Sequence, residues 1–165
     1  MVMGLTRVQA ASKCAQDFNK TCRQFAVLST FVVETLTVSS GAQSEKKATA
    51  AFRYEAVRLL NLAYYSYQLM VQGKKLALAP SALRPKSGGS AESQALSSCK
   101  SPTLLVSQML AKLVEEQRRA GRISNEQTAV MMGKISDLID AYSSTLTLVL
   151  SPTPSSLSSF AYFFT

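Results

Sequence analysis

Apolar residues recur every three or four positions through most of this chain, with polar residues between them. In the first such segment, about residues 5–38, the apolar stripe passes from Val8 through Phe18 and Phe25 to Val32. This spacing places apolar side chains on one face of an α-helix. The segment therefore predicts a long amphipathic helix that contains one break.

A second segment with the same period covers about residues 46–72. Arg58 and Asn61 lie largely off its apolar stripe, and Gly73 provides a stop signal, since glycine commonly follows the last turn of a helix. The segment predicts a second amphipathic helix that ends just before this glycine.

Two later helices are marked by their ends as well as by their period. The third begins at Ser101–Pro102, a pair suited to an N-cap followed by proline at the first helical position, and ends near Gly121. The fourth opens at Ser124, and Gln127 three residues later completes a capping box. Helical spacing of apolar residues then continues to about residue 150.

Residues 80–102 differ from the rest because they contain seven serines, two adjacent glycines and three prolines but no apolar period. A patternless stretch of this length is typical of a flexible linker, and no segment of the chain alternates long enough to predict a strand. We therefore predict an all-α fold over residues 1–165, in which long amphipathic helices form an antiparallel helical bundle with one long flexible linker at about 80–102.

Composition restricts the chemistry available to this fold. Hydrophobic residues make up 47% of the 165 residues and histidine is absent, so the chain is expected to fold but cannot use a histidine base or ligand. Cys14, Cys22 and Cys99 show no CxxC spacing and are interpreted as reduced packing residues. Asp137 and Asp140 are interpreted as surface charges. We predict no enzyme activity, no metal site and no cofactor.

The net charge of +8 is concentrated in the middle of the chain. Residues 46–122 contain thirteen basic and four acidic residues, whereas residues 123–165 contain one basic and three acidic residues. Such a surface is either a solvated basic face or a region that attracts anions. Cations do not alternate with stacking aromatic residues, so we do not expect nucleic acid as a partner. The sequence contains neither a secretory signal nor a run of about 20 apolar residues that could span a bilayer.

Three short stretches, in the same order, resemble motifs of the bestrophin family of anion channels. The stretch 57–64 is similar to the family's R-Y-x-N-L, although Leu59 replaces the tyrosine, and 121–123 is similar to its G-[RK]-I. The stretch 138–162 resembles the helix that ends in T-P-[LI]-P-F-[AP]-Y, with serines inserted after the second proline. The matched positions are Arg58, Asn61, Leu62, Gly121, Arg122, Ile123, Tyr142, Pro152 and Pro154.

The resemblance implies a mostly helical, pentameric channel that conducts chloride or other small anions in a plasma or plastid membrane. The chain corresponds to the cytosolic helical portion, and we expect a shortened form that lacks the pore neck and membrane helices and reaches the membrane through missing or partner segments. Leu105 falls at the family's cytosolic constriction, an apolar ring that gates by size and dewetting. The alternative interpretation of Leu105 is an ordinary core residue. The alternative function is a soluble helical protein-interaction module with a basic surface.

Overall fold

The computed structural model describes residues 2–39, 43–74, 76, 80, 83 and 90–150. This part of the chain contains five helices and no strand, which confirms the predicted all-α fold. In chain order the helices are α1 (Val2–Ser39), α2 (Gln43–Val71), α3 (Ser90–Ser98), α4 (Pro102–Arg119) and α5 (Asn125–Leu150).

The four long helices form an antiparallel bundle. Each packs against two neighbours, in the cyclic order α1, α2, α4, α5, and the diagonal pair α2 and α5 meets over a smaller area. Along α1 and α5 the numbering runs in opposite directions, since Val27 and Val130 share one depression while Asp17 and Asp140 share the next. The bundle therefore has an up-down-up-down arrangement, in which side chains from facing helices fill the core.

Aromatic side chains join three of the helices at the centre of the bundle. The Phe18 ring in α1 stacks on the Tyr67 ring in α2, with centroids 4.2 Å apart and planes 9° from parallel. The Tyr67 hydroxyl lies 2.9 Å from the Thr145 hydroxyl in α5. Burial of a large apolar side chain contributes about 1.5–3 kcal/mol, and the fully buried large side chains of the core include Phe18, Phe25, Leu62, Leu110, Met131 and Leu138.

Two glycines end helices α2 and α4 in the same way. Gly73 and Gly121 have φ values of 68° and 69°, a left-handed conformation that costs glycine little. In each case the next residue donates its backbone N–H back into the helix, as Arg122 does to the Gln117 carbonyl at 3.0 Å. This is the Schellman arrangement, and both predicted stops are confirmed.

The start of α5 agrees fully with the prediction, whereas the start of α4 agrees only in part. The capping box of α5 is confirmed, because the Ser124 N–H donates to Gln127 Oε1 at 2.9 Å and the Gln127 N–H donates to Ser124 Oγ at 3.1 Å. Pro102 is the first residue of α4, as predicted, but the Ser101 side chain makes no capping hydrogen bond. The role assigned to the Ser101 hydroxyl is therefore wrong.

Two further expectations need correction. Helix α1 is continuous, so the predicted break is wrong. The helix packs against both α2 and α5. Residues Ser90–Ser98 form α3 within the stretch that was predicted to be a patternless linker. Helix α3 is attached through Leu96, which is 2% exposed. A single apolar anchor in nine residues cannot produce a helical period, although Ala91, Glu92, Gln94 and Ala95 all favour a helix.

Candidate functional site

Arg58, the arginine of the first bestrophin-like stretch, lies buried in an ion-pair cluster. Its guanidinium donates two hydrogen bonds to the Glu55 carboxylate and two to the Glu92 carboxylate, at 2.5–2.9 Å. It also donates to the Leu83 carbonyl oxygen at 2.7 Å. The cluster connects α2 to α3 and to the segment between them, and paired bidentate contacts of this kind are strong and geometrically specific.

The surroundings of Arg58 determine the pKa of its guanidinium and therefore its charge. Burial by itself lowers the pKa of the guanidinium, but the hydrogen bonds to Glu55 and Glu92 outweigh it and the net effect raises the pKa. Arg58 therefore remains a cation, and two carboxylates neutralise it. Its charge is balanced by groups of the chain itself. The sequence placed Arg58 off the apolar stripe, yet the residue is only 4% exposed.

The second stretch, residues 121–123, forms the joint between α4 and α5. Gly121 provides the left-handed turn, and Ile123 is buried at 5% exposure immediately before the capping box. Between them, Arg122 Nη1 donates to Gln117 Oε1 at 3.1 Å. Each residue type in this motif thus has a structural role in reversing the chain.

The other motif positions are distributed over the bundle. Leu62 is fully buried and Tyr142 is 3% exposed, whereas Asn61 is exposed to solvent. Arg58 lines one depression and Tyr142 lines another, so the matched residues do not form a single binding site. Pro152 and Pro154 lie outside the described residues.

A cavity of about 550 Å³ lies between the end of α2 and the start of α4, with Tyr142 on one wall. The Ser66 and Thr103 hydroxyls lie 3.0 Å apart beside it, and every buried side-chain polar atom in the described part has a hydrogen-bond partner. Lys74 and Lys100 line the same cavity and are exposed. The cavity therefore combines satisfied hydroxyl groups with two solvent-facing cations, a composition that attracts small anions.

Leu105, the candidate constriction residue, lies in the first turns of α4. It is half-buried and packs against the core, as its neighbour Leu104 does. Part of the Leu105 side chain is therefore accessible, and both interpretations, constriction residue and core residue, remain open.

The basic middle of the chain remains positive after its ion pairs are counted. All four of its carboxylates are paired with cations of the same segment: Glu55 and Glu92 with Arg58, Glu115 with Arg118 and Arg119, and Glu116 with Lys112. The exposed cations of this segment that make no ion pair with a described residue include Lys46, Lys47, Arg53, Lys74 and Lys100. These exposed cations lie at both ends of α2 and before α4, and no described carboxylate neutralises them.

The thiols are free, and the described residues offer no metal centre. Cys14, Cys22 and Cys99 are unpaired, and burial raises the pKa of the Cys22 thiol to about 12. A thiol with a raised pKa remains protonated and is a poor nucleophile. No cluster of three or more potential ligands occurs within the described part of the chain.

Among the described helices, none combines the length and apolar character that a bilayer crossing requires.

Comparison with known proteins identifies no relative of this chain. No family model, no curated protein and no solved structure matches this chain.

Proposed function

We propose that this chain is a bestrophin-like anion channel polypeptide and contributes a helical scaffold on the water side of the channel. The observation that carries the proposal is the position of the motif residues in the fold. Of the seven matched positions that the structure describes, four are buried (Arg58, Leu62, Ile123 and Tyr142), whereas Asn61 and Gly121 are exposed. The resembling stretches thus contain residues on which this bundle depends.

The charge distribution supports the same proposal. The uncompensated cations of the middle segment raise the local concentration of chloride and other small anions near the scaffold, because their field extends over roughly 8–10 Å in physiological salt. Arg58 takes no part in this field, since Glu55 and Glu92 neutralise it. The anions are attracted by surface lysines and arginines such as Lys74 and Lys100.

In this proposal Leu105 forms the apolar constriction when several copies assemble, with the pentamer of the family as the expected state. A half-exposed leucine can pack against its own helix bundle and still present methyl groups to a shared pathway. Dewetting of such an apolar ring then controls conduction.

Chloride efflux from liposomes tests the proposal with a matched pair of variants. The chain is reconstituted alone and together with a full-length member of the bestrophin family, and Leu105→Ala is compared with Leu104→Ala. Both leucines are half-buried neighbours on α4, so the two truncations have similar folding costs. Widening of the constriction predicts a severalfold rise in chloride efflux for Leu105→Ala and no change for Leu104→Ala.

Two outcomes would contradict the proposal. One is chloride efflux that never differs from that of liposomes prepared without this chain, in either reconstitution. The other is an equal change for both leucine variants, which would mean that Leu105 acts only through packing.

A further inference from the structure

A groove on the outer side of helices α1 and α5 exposes apolar side chains to solvent. Val27 in α1 is 68% exposed and Val130 in α5 is 51% exposed, the two highest values among the exposed large apolar residues of the described part. Together with Leu28 they line a depression of about 670 Å³. The three residues give the groove a small apolar centre.

The apolar centre of the groove has cations on both sides. Lys20 and Arg23 project from α1 and Lys134 from α5, and none of the described residues that line the groove is acidic. Lys134 pairs with Asp137 at 2.8 Å, whereas Lys20 and Arg23 make no ion pair with a described residue. The groove therefore has a local positive charge that its own residues do not neutralise.

The length of the groove fits a short helix. Its α1 side runs from Gln16 to Leu28, which spans about 18 Å at the helical rise per residue, or about three turns. The apolar centre has two cations without a described ion-pair partner, Lys20 and Arg23, on its α1 side and the Asp137-paired Lys134 on its α5 side. This arrangement complements a helix whose apolar stripe is flanked by acidic residues.

We propose that this groove is the docking site for an acidic amphipathic helix, about three turns long, of a partner protein. The proposal is independent of the channel function and goes beyond it.

Charge disfavours a second copy of this chain and its C-terminal residues as occupants, and shape disfavours a membrane. A second copy of this chain has a net charge of +8, the same sign as the groove, and residues 151–165 contain no acidic residue. Anionic lipid would match the cations, but a flat membrane does not fill a concave apolar groove.

The adjoining depression limits how far the acidic part of the partner can extend. Asp17, Asp137 and Asp140 line it, next to Lys20 and Lys134. Acidic residues of a bound helix are favoured beside Arg23 and repelled toward Asp17. The charge pattern thus sets the register of the partner helix along the groove.

Fluorescence anisotropy with two labelled helical peptides tests this proposal. Both peptides are three turns long and carry the same leucine stripe; one has glutamates on both flanks and the other has lysines. The full chain is expected to bind the glutamate peptide about tenfold more tightly than the lysine peptide, with an affinity that falls as salt is added. Arg23→Glu is expected to weaken binding of the glutamate peptide about tenfold.

Lys112→Glu is the matched control, because Lys112 lies on α4, has a 79% exposed side chain and is outside the groove. It makes the same charge change and is expected to leave binding of the glutamate peptide nearly unchanged. Circular dichroism establishes that both variants are folded. Because chloride efflux does not depend on the groove, this proposal and the channel proposal fail separately.

Several outcomes would overturn the docking proposal. Equal affinity for the two peptides, or equal weakening by Arg23→Glu and Lys112→Glu, would remove the specific role of the groove. The chain could instead bind no peptide but sediment with phosphatidylserine vesicles. If Arg23→Glu then abolished this sedimentation, the groove would be assigned to a membrane surface. Self-association of the chain that Val130→Glu abolishes would assign it to a second copy.

Discussion

Polar groups are buried on the α2–α4 side of the bundle, whereas apolar side chains are exposed on the outer face of α1 and α5. On the first side, Arg58 is buried between two carboxylates, and the Ser66 hydroxyl lies against the Thr103 hydroxyl. On the second, Val27 and Val130 are exposed between cations. The first arrangement stabilises one register of the helices, and the second leaves an apolar surface available for binding.

The two regions should therefore differ in their tolerance of substitution. A buried polar group that loses its partner pays the full cost of desolvation, so the α2–α4 side depends on each member of its pairs. The outer face of α1 and α5 contributes little to the free energy of unfolding, because its side chains remain largely in water.

The largest expected effect comes from placing a charge on the inner face of α5. Ile135 is 4% exposed, and Ile135→Asp should lower the free energy of unfolding by about 4 kcal/mol, because an unpaired carboxylate would be buried. Val130→Asp, on the outer face of the same helix, should change it by less than about 0.5 kcal/mol. Urea denaturation measures both, and similar costs would contradict the assignment of the two faces.

Removal of the central cation should have the next largest effect. Arg58→Met leaves the Glu55 and Glu92 carboxylates facing each other and should cost about 2–3 kcal/mol, a value reduced because both carboxylates are partly exposed. Arg53→Met removes an exposed arginine from the same helix and should cost less than about 0.5 kcal/mol. Equal unfolding midpoints for the two variants would mean that the cluster does not stabilise α3 against α2.

Alanine substitution of two glycines should change the free energy of unfolding in opposite directions. An alanine Cβ would meet no atom within 4 Å at Gly121 or Gly133, so only backbone conformation distinguishes them. Gly121→Ala should destabilise by about 1 kcal/mol because φ is +69° there. Gly133→Ala, inside α5, should stabilise by about 0.5–1 kcal/mol. Thermal unfolding of both variants checks the signs, and a stabilising Gly121→Ala would contradict the turn.

The smallest effect concerns an exposed ion pair at the end of α4. Hydrogen bonds from Arg118 and then Arg119 lower the pKa of Glu115 from 4.5 to about 2. A carboxyl whose pKa is lowered by folding stabilises the folded state above its unfolded pKa, and this contribution is lost as the pH falls from about 4.5 to about 2. Glu115→Gln should flatten the pH dependence of unfolding in that window only, and an unchanged pH profile would contradict the pairing.

Two features that depend on neighbouring residues were predictable from the sequence, although the cap assigned to the Ser101 side chain was not formed. Ser124 and Gln127 lie three residues apart and Gly73 follows its helix directly, so the capping box and the helix stop were correctly predicted. The burial of Arg58 was not, because one of its partners, Glu92, lies 34 residues away in a helix without an apolar period.

The outer groove also could not be predicted from the pattern of apolar residues in the sequence. Val130 and Met131 are adjacent apolar residues, and either could face the core within a helical period of three or four. Met131 is 1% exposed and Val130 is 51% exposed, because contact with the facing helices decides between them. Periodicity alone therefore found the stripe of α5 but not the apolar residue left outside it.

The division between the two regions is tested most directly by measuring unfolding and peptide binding on the same two variants. Arg58→Met is predicted to lower the free energy of unfolding by about 2–3 kcal/mol and to leave the affinity for the glutamate peptide unchanged under folding conditions. Arg23→Glu is predicted to weaken that affinity about tenfold and to change the free energy of unfolding by less than about 0.5 kcal/mol. A variant that changes the free energy of unfolding and the peptide affinity to a similar degree would contradict the separate roles of the two regions.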